Sequence, residues 1–140
     1  MDSKQTLQTL TIGRAVTKLE IEALQRMRER LDDAFERAVS LMLHTDDRVM
    51  VLGMGKSGLI GRKIAATLAS TGTPAYFVHP AEALHGDLGM IHRGDTILMI
   101  SNSGETEELI RLLPFFESQG NPVIAMTGRP DSTLAAFANV

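Results

Sequence analysis

From Ile12 to Leu43, apolar residues recur every three or four positions, at Ile12, Val16, Leu19, Ala23, Met27, Leu31, Phe35, Ala38 and Met42. That spacing puts them on one face of a helix and predicts one long amphipathic helix, or two in succession. The other face carries Glu22, Arg26, Glu29, Arg30, Asp33, Glu36 and Arg37, a mixed-charge surface that reads as solvated. An apolar stripe of this length can pack on a second copy of itself, which favours oligomer formation. Residues 1–45 are therefore read as an N-terminal helical segment, packing on the domain that follows or on a second subunit.

After Asp46-Asp47 the pattern changes to short, continuously apolar runs: Val49 to Leu52, Ala75 to Val78, Thr96 to Ile100 and Val123 to Met126. Between them, helical stretches are read at Ser57 to Ser70, Thr106 to Gln119 and Asp131 to Ala138. Fully apolar strands alternating with helices predict an α/β fold, a parallel β-sheet with helices on both faces, over residues 46–140. In this alternation the helix before Val140 should lead into another strand. The domain is accordingly expected to be a fragment that stops before its last strand.

Composition narrows the chemistry. With 140 residues and 44% apolar content, a single compact domain with its own core is expected. The formal net charge is −3 and basic residues are scattered, which argues against a nucleic-acid partner. No apolar run reaches the about 18 residues of a membrane span, and Met1 to Leu10 is too polar for a secretory leader, so a cytoplasmic address is expected. The chain has no cysteine. Disulfides, thiolate catalysis and cysteine-ligated zinc are thereby excluded.

Two glycine-rich segments stand where strands give way to helices. Gly53-Met54-Gly55-Lys56-Ser57-Gly58 follows the first strand, so its backbone N–H groups and the positive helix end can face an anion. As a G-x-G-x-x-G it also fits a dinucleotide fingerprint, but the acid expected about 20 residues on is poorly matched, with Glu82 coming only after Pro80. Gly55-Lys56-Ser57 ends like a P-loop, yet the first glycine that motif requires falls at Met50. A plain strand-to-helix turn with Ser57 as cap is the simplest competing account.

Ser101-Asn102-Ser103-Gly104-Glu105-Thr106 follows the third strand and offers three hydroxyls and several amides. Two such loops on one sheet edge suit a small phosphorylated ligand. Of the acids that follow, Glu108 is the leading candidate base, ahead of Glu105 and Glu107; helix capping is the alternative for all of them. His79 and His85, with Asp87, could bind metal, contact substrate or relay protons. His44 and His92 are read as surface residues.

Together, GMGKSG, GTP (Gly72 to Pro74), HPAEALHGDLGM, SNSGETEE and TGRP (Thr127 to Pro130) closely resemble the sugar isomerase (SIS) domain of bacterial arabinose-5-phosphate isomerases. The resemblance runs from about Arg48 to Val140. It implies a Rossmann-like three-layer sandwich and interconversion of D-ribulose 5-phosphate and D-arabinose 5-phosphate, on the route to the Kdo sugar of lipopolysaccharide or capsule. It implies homotetramers, no cofactor, and two CBS modules after the SIS domain, which this chain does not contain. Carried over by motif, Lys56 and Glu108 are catalytic, and Gly72, Thr73, His79 and His85 contact substrate. His79 is also where the family can bind inhibitory zinc. The family's further catalytic glutamate and histidine would fall beyond Val140.

The implied reaction moves a proton between C2 and C1 of an open-chain sugar through a cis-enediol, without redox. On this reading Ser101, Ser103 and Thr106, with Asn102, Gly55 and Ser57, line the phosphate and substrate site, and Lys56 offsets negative charge. Two rivals remain: a sugar-phosphate sensor of the same family, which would usually bring a helix-turn-helix absent here, and a nucleotide-dependent oxidoreductase resting on G-x-G-x-x-G alone.

Overall fold

The computed structural model describes residues 3–140, with side chains from residue 8 onward. The first two residues of the predicted helical segment, and much of the stretch judged too polar for a leader, lie outside that description. The chain divides between Ala34 and Phe35 into two compact units.

The first unit is dominated by α1 (Ser3–Glu29). The predicted apolar positions Ile12, Val16, Leu19, Met27 and Leu31 are all exposed. The helical pattern resolves into the two-helix alternative, because α2 (Asp33–Leu43) starts afresh. Asp32 supplies the new start, its Oδ1 accepting the Ala34 N–H at 3.0 Å, as side chains at helix N-caps commonly do.

The second unit holds a parallel sheet of β1 (Val49–Gly53), β2 (Ala75–Val78), β3 (Thr96–Ser101) and β4 (Val123–Thr127) in the order β2-β1-β3-β4. All four match the apolar runs to within a residue. Alternate residues of β1 feed two cores: Met50 and Leu52 on one side, Val49 and Val51 on the other. Against the second face lie Ala38, Leu41 and Met42 of α2 and Ile64, Ala65 and Leu68 of α3 (Gly55–Ser70). Packing thus draws most of α2 into the α/β unit.

The first face is covered by α4 (Pro80–Leu84), α5 (Glu107–Ile110), α6 (Leu113–Gln119) and α7 (Thr133–Phe137), which contribute Ala83, Leu109, Phe116 and Leu134. The single helix expected from Thr106 to Gln119 breaks between Ile110 and Leu113. Pro114 explains the break, having no N–H to donate to Ile110 and a ring that would clash with that carbonyl. The short α4, with Pro80 at its start, and the 3-10 turn Asp87–Met90 have no counterpart in the sequence reading. Beyond α7 the chain returns along β4, where Ala125 N–H donates to the Val140 carbonyl at 2.8 Å and Asn139 N–H to the Val123 carbonyl at 2.9 Å.

The amino end of the sheet is held by a polar clamp. Arg48 grips the fully buried Asp95 with two hydrogen bonds, Nε to Oδ1 at 3.0 Å and Nη2 to Oδ2 at 2.9 Å. The His92 N–H donates to the same carboxylate at 2.7 Å. Asn121 Nδ2 donates to the Asp95 carbonyl at 2.9 Å and the His92 carbonyl at 2.7 Å. The bond to Asp95 raises the Arg48 pKa above its ordinary value. No helix among the described residues is long and apolar enough to cross a membrane.

Candidate functional site

The chain passes from β1 to β2 on one side, then crosses back over β1 to β3 on the other. That reversal opens a crevice beyond the carboxyl ends of β1 and β3, where open α/β sheets bind ligands. Gly53 and Ile100 are register partners, so the loops that follow them, Gly53 to Gly58 and Ser101 to Thr106, flank this crevice side by side. His79 leaves β2 on the outer side of the first loop, and Thr127 leaves β4 opposite Ser101.

The first loop is shaped by close packing. A Cβ on Gly58 would meet the Gly53 carbonyl oxygen at 2.6 Å, and a Cβ on Gly61 would press on Phe77 and Val51 at 3.2 Å. These glycines let α3 lie against β1 and β2. Gly55 opens the helix at φ +52° with open space around it. Met54 occupies the N-cap position and provides no side-chain cap, so the simple reading of Ser57 as cap does not describe the turn. Lys56 is exposed and Ser57 half-buried in the first turn. Without a capping side chain, the first amides of this 16-residue helix remain oriented toward the crevice.

The second loop is built from its own hydroxyls. Ser101 is buried; its Oγ accepts the Gly104 N–H at 3.0 Å and lies 2.8 Å from Thr106 Oγ1. Ser103 Oγ accepts the Glu105 N–H at 3.2 Å and lies 3.5 Å from Ser101 Oγ. The three predicted hydroxyls therefore cluster, while Asn102 lies exposed between them. Gly104, at φ +66°, makes the reversal that only glycine adopts readily.

The loop leaving β4 closes the far side. Gly128 N–H donates to the Asn102 carbonyl, and Leu134 N–H to the Gly104 carbonyl, each at 3.1 Å. Glu105 Oε1 accepts the Thr133 N–H at 2.7 Å, and that bond holds the Glu105 carboxyl below its ordinary pKa. The sequence reading used TGRP only as part of the family resemblance and did not foresee these ties. The Ser-x-x-Ala helix start at Ser132, whose Oγ accepts the Ala135 N–H, was the available signal for a turn there.

Glu108 is half-buried in the first turn of α5, next to the buried Leu109. Leu109 shares its core with Ala83 of α4, which brings the helix between His79 and His85 beside the one that carries Glu108. His79 precedes Pro80 with its Nδ1 buried and unpaired, whereas His85 is exposed at the other end of α4. Among the described residues, no three His, Cys, Asp or Glu converge into a set that could hold a metal ion.

Gly72 and Thr73 fall elsewhere. They precede β2, where the neighbouring Pro74 carbonyl accepts the Val49 N–H at 2.9 Å at the start of β1. This is the amino end of the sheet, about 13 Å of strand from the carboxyl-end loops. The structure thus gathers Gly55, Lys56, Ser57, His79, Ser101, Asn102, Ser103, Thr106 and Glu108 at the carboxyl end, sets His85 exposed at the far end of α4, and leaves Gly72 and Thr73 at the amino end.

Adjacent glycine-rich loops at the switch point of a parallel sheet define an open α/β domain of the class that binds small ligands beyond its strand ends. A family model described as SIS domain matches residues 42–140, and the chain belongs to that family. Over 129 residues it is 54% identical to the Escherichia coli K12 protein named arabinose 5-phosphate isomerase GutQ, covering 92% of this chain and 40% of that protein. It is 49% identical over 140 residues to arabinose 5-phosphate isomerase KdsD of Pseudomonas aeruginosa, again covering only 43% of the relative. A solved structure of c3406 from E. coli CFT073, in complex with arabinose 5-phosphate, matches with TM-score 0.88 and 36% identity, over 100% of this chain and 73% of that one.

Proposed function

We propose that this chain supplies the phosphate-binding half of an aldose-ketose isomerase that interconverts D-arabinose 5-phosphate and D-ribulose 5-phosphate. The observation that carries the reading is the pairing of the two glycine-rich loops across adjacent strands β1 and β3. A pentose phosphate is small enough to rest its phosphate on one loop and its reacting carbons between the two. The names borne by GutQ and KdsD, and the ligand in the c3406 structure, support the same assignment.

In the proposed reaction the clustered hydroxyls of Ser101, Ser103 and Thr106 hold the 5-phosphate and so fix its distance from C1 and C2. Asn102, Gly55 and Ser57 line the same crevice. Glu108 removes the C2 proton of the open-chain aldose, giving an enediolate with a C1–C2 double bond. Return of a proton to C1 yields the ketose, and the hydroxyl proton passes between O2 and O1, so no electrons leave the sugar. Lys56 offsets the charge that develops on oxygen or resides on the phosphate. His79 and His85, at the two ends of α4, contact the sugar. Gly72 and Thr73 reach a site of this kind only if a second copy presents the amino end of its sheet.

Assembly is proposed to run through the exposed apolar stripe of α1, which leaves Leu19, Leu24 and Met27 more than half exposed. A homotetramer working in the cytoplasm, and supply of the Kdo sugar, complete the proposal on the strength of the sequence resemblance. The deciding experiment is isomerisation of arabinose 5-phosphate by the full-length protein. Sugar-phosphate binding without turnover would instead support a sensor, and calorimetric binding of NAD would support an oxidoreductase.

A further inference from the structure

Glu105 is a candidate base by sequence, yet its carboxylate is engaged across the site: Oε1 accepts the Thr133 N–H at 2.7 Å, 28 residues along the chain. We propose that Glu105 is a positioning residue, a latch that fastens the Ser101 to Thr106 loop to the start of α7 and so sets the geometry of the phosphate-binding hydroxyls. The inference rests on the assignment of that loop to the substrate phosphate.

The latch lies where loop geometry is decided. Glu105 follows Gly104, whose φ of +66° turns the loop, and its own N–H donates to Ser103 Oγ at 3.2 Å. Its backbone therefore holds a phosphate-site hydroxyl while its side chain holds the neighbouring loop. Next to it, the Gly104 carbonyl accepts the Leu134 N–H at 3.1 Å, and Ser132 fills the space where a side chain on Gly104 would go. The carboxylate therefore adds a side-chain tie one residue beyond the backbone tie at Gly104, so the loop is fastened to the start of α7 at two successive residues. After the Thr133 amide, the hydroxyl of the same residue also favours the charged carboxylate, the Arg129 guanidinium adds a smaller favourable field, and Asp131 opposes it. Thr133 is the first residue of α7, whose N–H has no partner inside the helix. The carboxylate thus satisfies a donor that would otherwise face water, in the charge-assisted form that is the stronger kind of hydrogen bond.

This arrangement allows either half of the bond to be removed. Glu105→Ala removes the acceptor. Thr133→Pro removes the amide donor together with the Thr133 hydroxyl, at a position where proline suits a helix start, and Ser132 already holds the extended φ −81°, ψ 160° that a residue before proline requires. In the full-length protein, each variant should raise KM for arabinose 5-phosphate about tenfold with kcat within about threefold, the size expected for one charge-assisted hydrogen bond. The double variant should be no worse than either single one. Glu105→Gln, whose amide oxygen can still accept from Thr133, should recover KM to within about threefold of the parent.

Unchanged KM in both single variants overturns the proposal, as does additive damage in the double variant or a Gln variant as weak as Ala. A kcat loss beyond about a hundredfold at constant KM, the scale of a lost acid-base group, would make Glu105 a catalytic residue and also overturn it. If the unmodified protein does not isomerise the sugar, the functional assignment fails and amide exchange decides the latch by itself. About tenfold faster exchange at Thr133 in Glu105→Ala then upholds it, and unchanged exchange overturns it.

Discussion

The carbonyl oxygen of Gly53 occupies the space into which a side chain on Gly58 would grow, 2.6 Å from the ideal Cβ position. Both atoms belong to backbone, so neither can swing aside. Gly58→Ala must push α3 off β1 and should destabilise the fold by about 1–3 kcal/mol, the usual cost of overpacking. Because the same shift moves Gly55 to Ser57, KM should rise as well. Gly55→Ala meets no neighbour and should cost only the left-handed backbone penalty, about 1–2 kcal/mol. Chemical denaturation of the two variants separates the effects.

At the other end of the sheet, Asp95→Ala leaves Arg48 with only the Met90 carbonyl as acceptor and the His92 N–H without its acceptor. Losing hydrogen bonds to a charged group costs about 1.5–3 kcal/mol, so this substitution should lower the melting temperature. Activity per folded molecule should change little, since the clamp lies a full strand away from the loops. Thermal unfolding alongside kinetics at a temperature where the variant is folded checks both statements.

The proposed chemistry is tested at Glu108 and Lys56. Glu108→Gln should lower kcat of the full-length protein by roughly 10²–10⁴, and Lys56→Ala by roughly 10²–10³. Near-parental turnover in either variant removes that residue from the mechanism. Neither substitution should alter the unfolding midpoint appreciably, because Lys56 is exposed and no packing depends on the charge of Glu108.

The latch has a defined pH signature. Its folded pKa is depressed below the ordinary 4.5 by the Thr133 amide, so its contribution is complete above that ordinary value and is lost as pH falls through the depressed one. The Thr133 amide resonance should therefore hold steady from neutral pH down to about 4.5 and move only below it. A transition centred near neutrality would contradict the assignment.

Assembly through α1 predicts that Leu19→Glu combined with Leu24→Glu lowers the oligomeric mass seen by sedimentation. The sheet of the second unit should remain intact, because neither side chain belongs to its cores. An unchanged mass would remove α1 from the interface.

Much of this was legible in the sequence because a buried parallel strand is written as an unbroken apolar run, and Val49 to Leu52 can hardly be read otherwise. The loops were legible for a related reason: Gly53 and Gly58 mark places where backbone meets backbone, and Gly104 a left-handed turn with Ser132 packed against it. The break before Leu113 was present in Pro114 but was outweighed by the surrounding helical pattern. Glu105 could not be assigned, since its partner Thr133 is reached only by folding β4 alongside β3. Gly72 and Thr73 show the complementary difficulty: motifs close in sequence fall at opposite ends of a sheet whenever a strand lies between them.

The polar clamp of Arg48, Asp95 and Asn121 secures the sheet at the end away from the loops, and this separation bears on how such a domain diversifies. Residues at the carboxyl-end turns can be exchanged while the anchoring network is left untouched. A lineage can therefore try new sugars, or trade turnover for sensing, on an unaltered foundation.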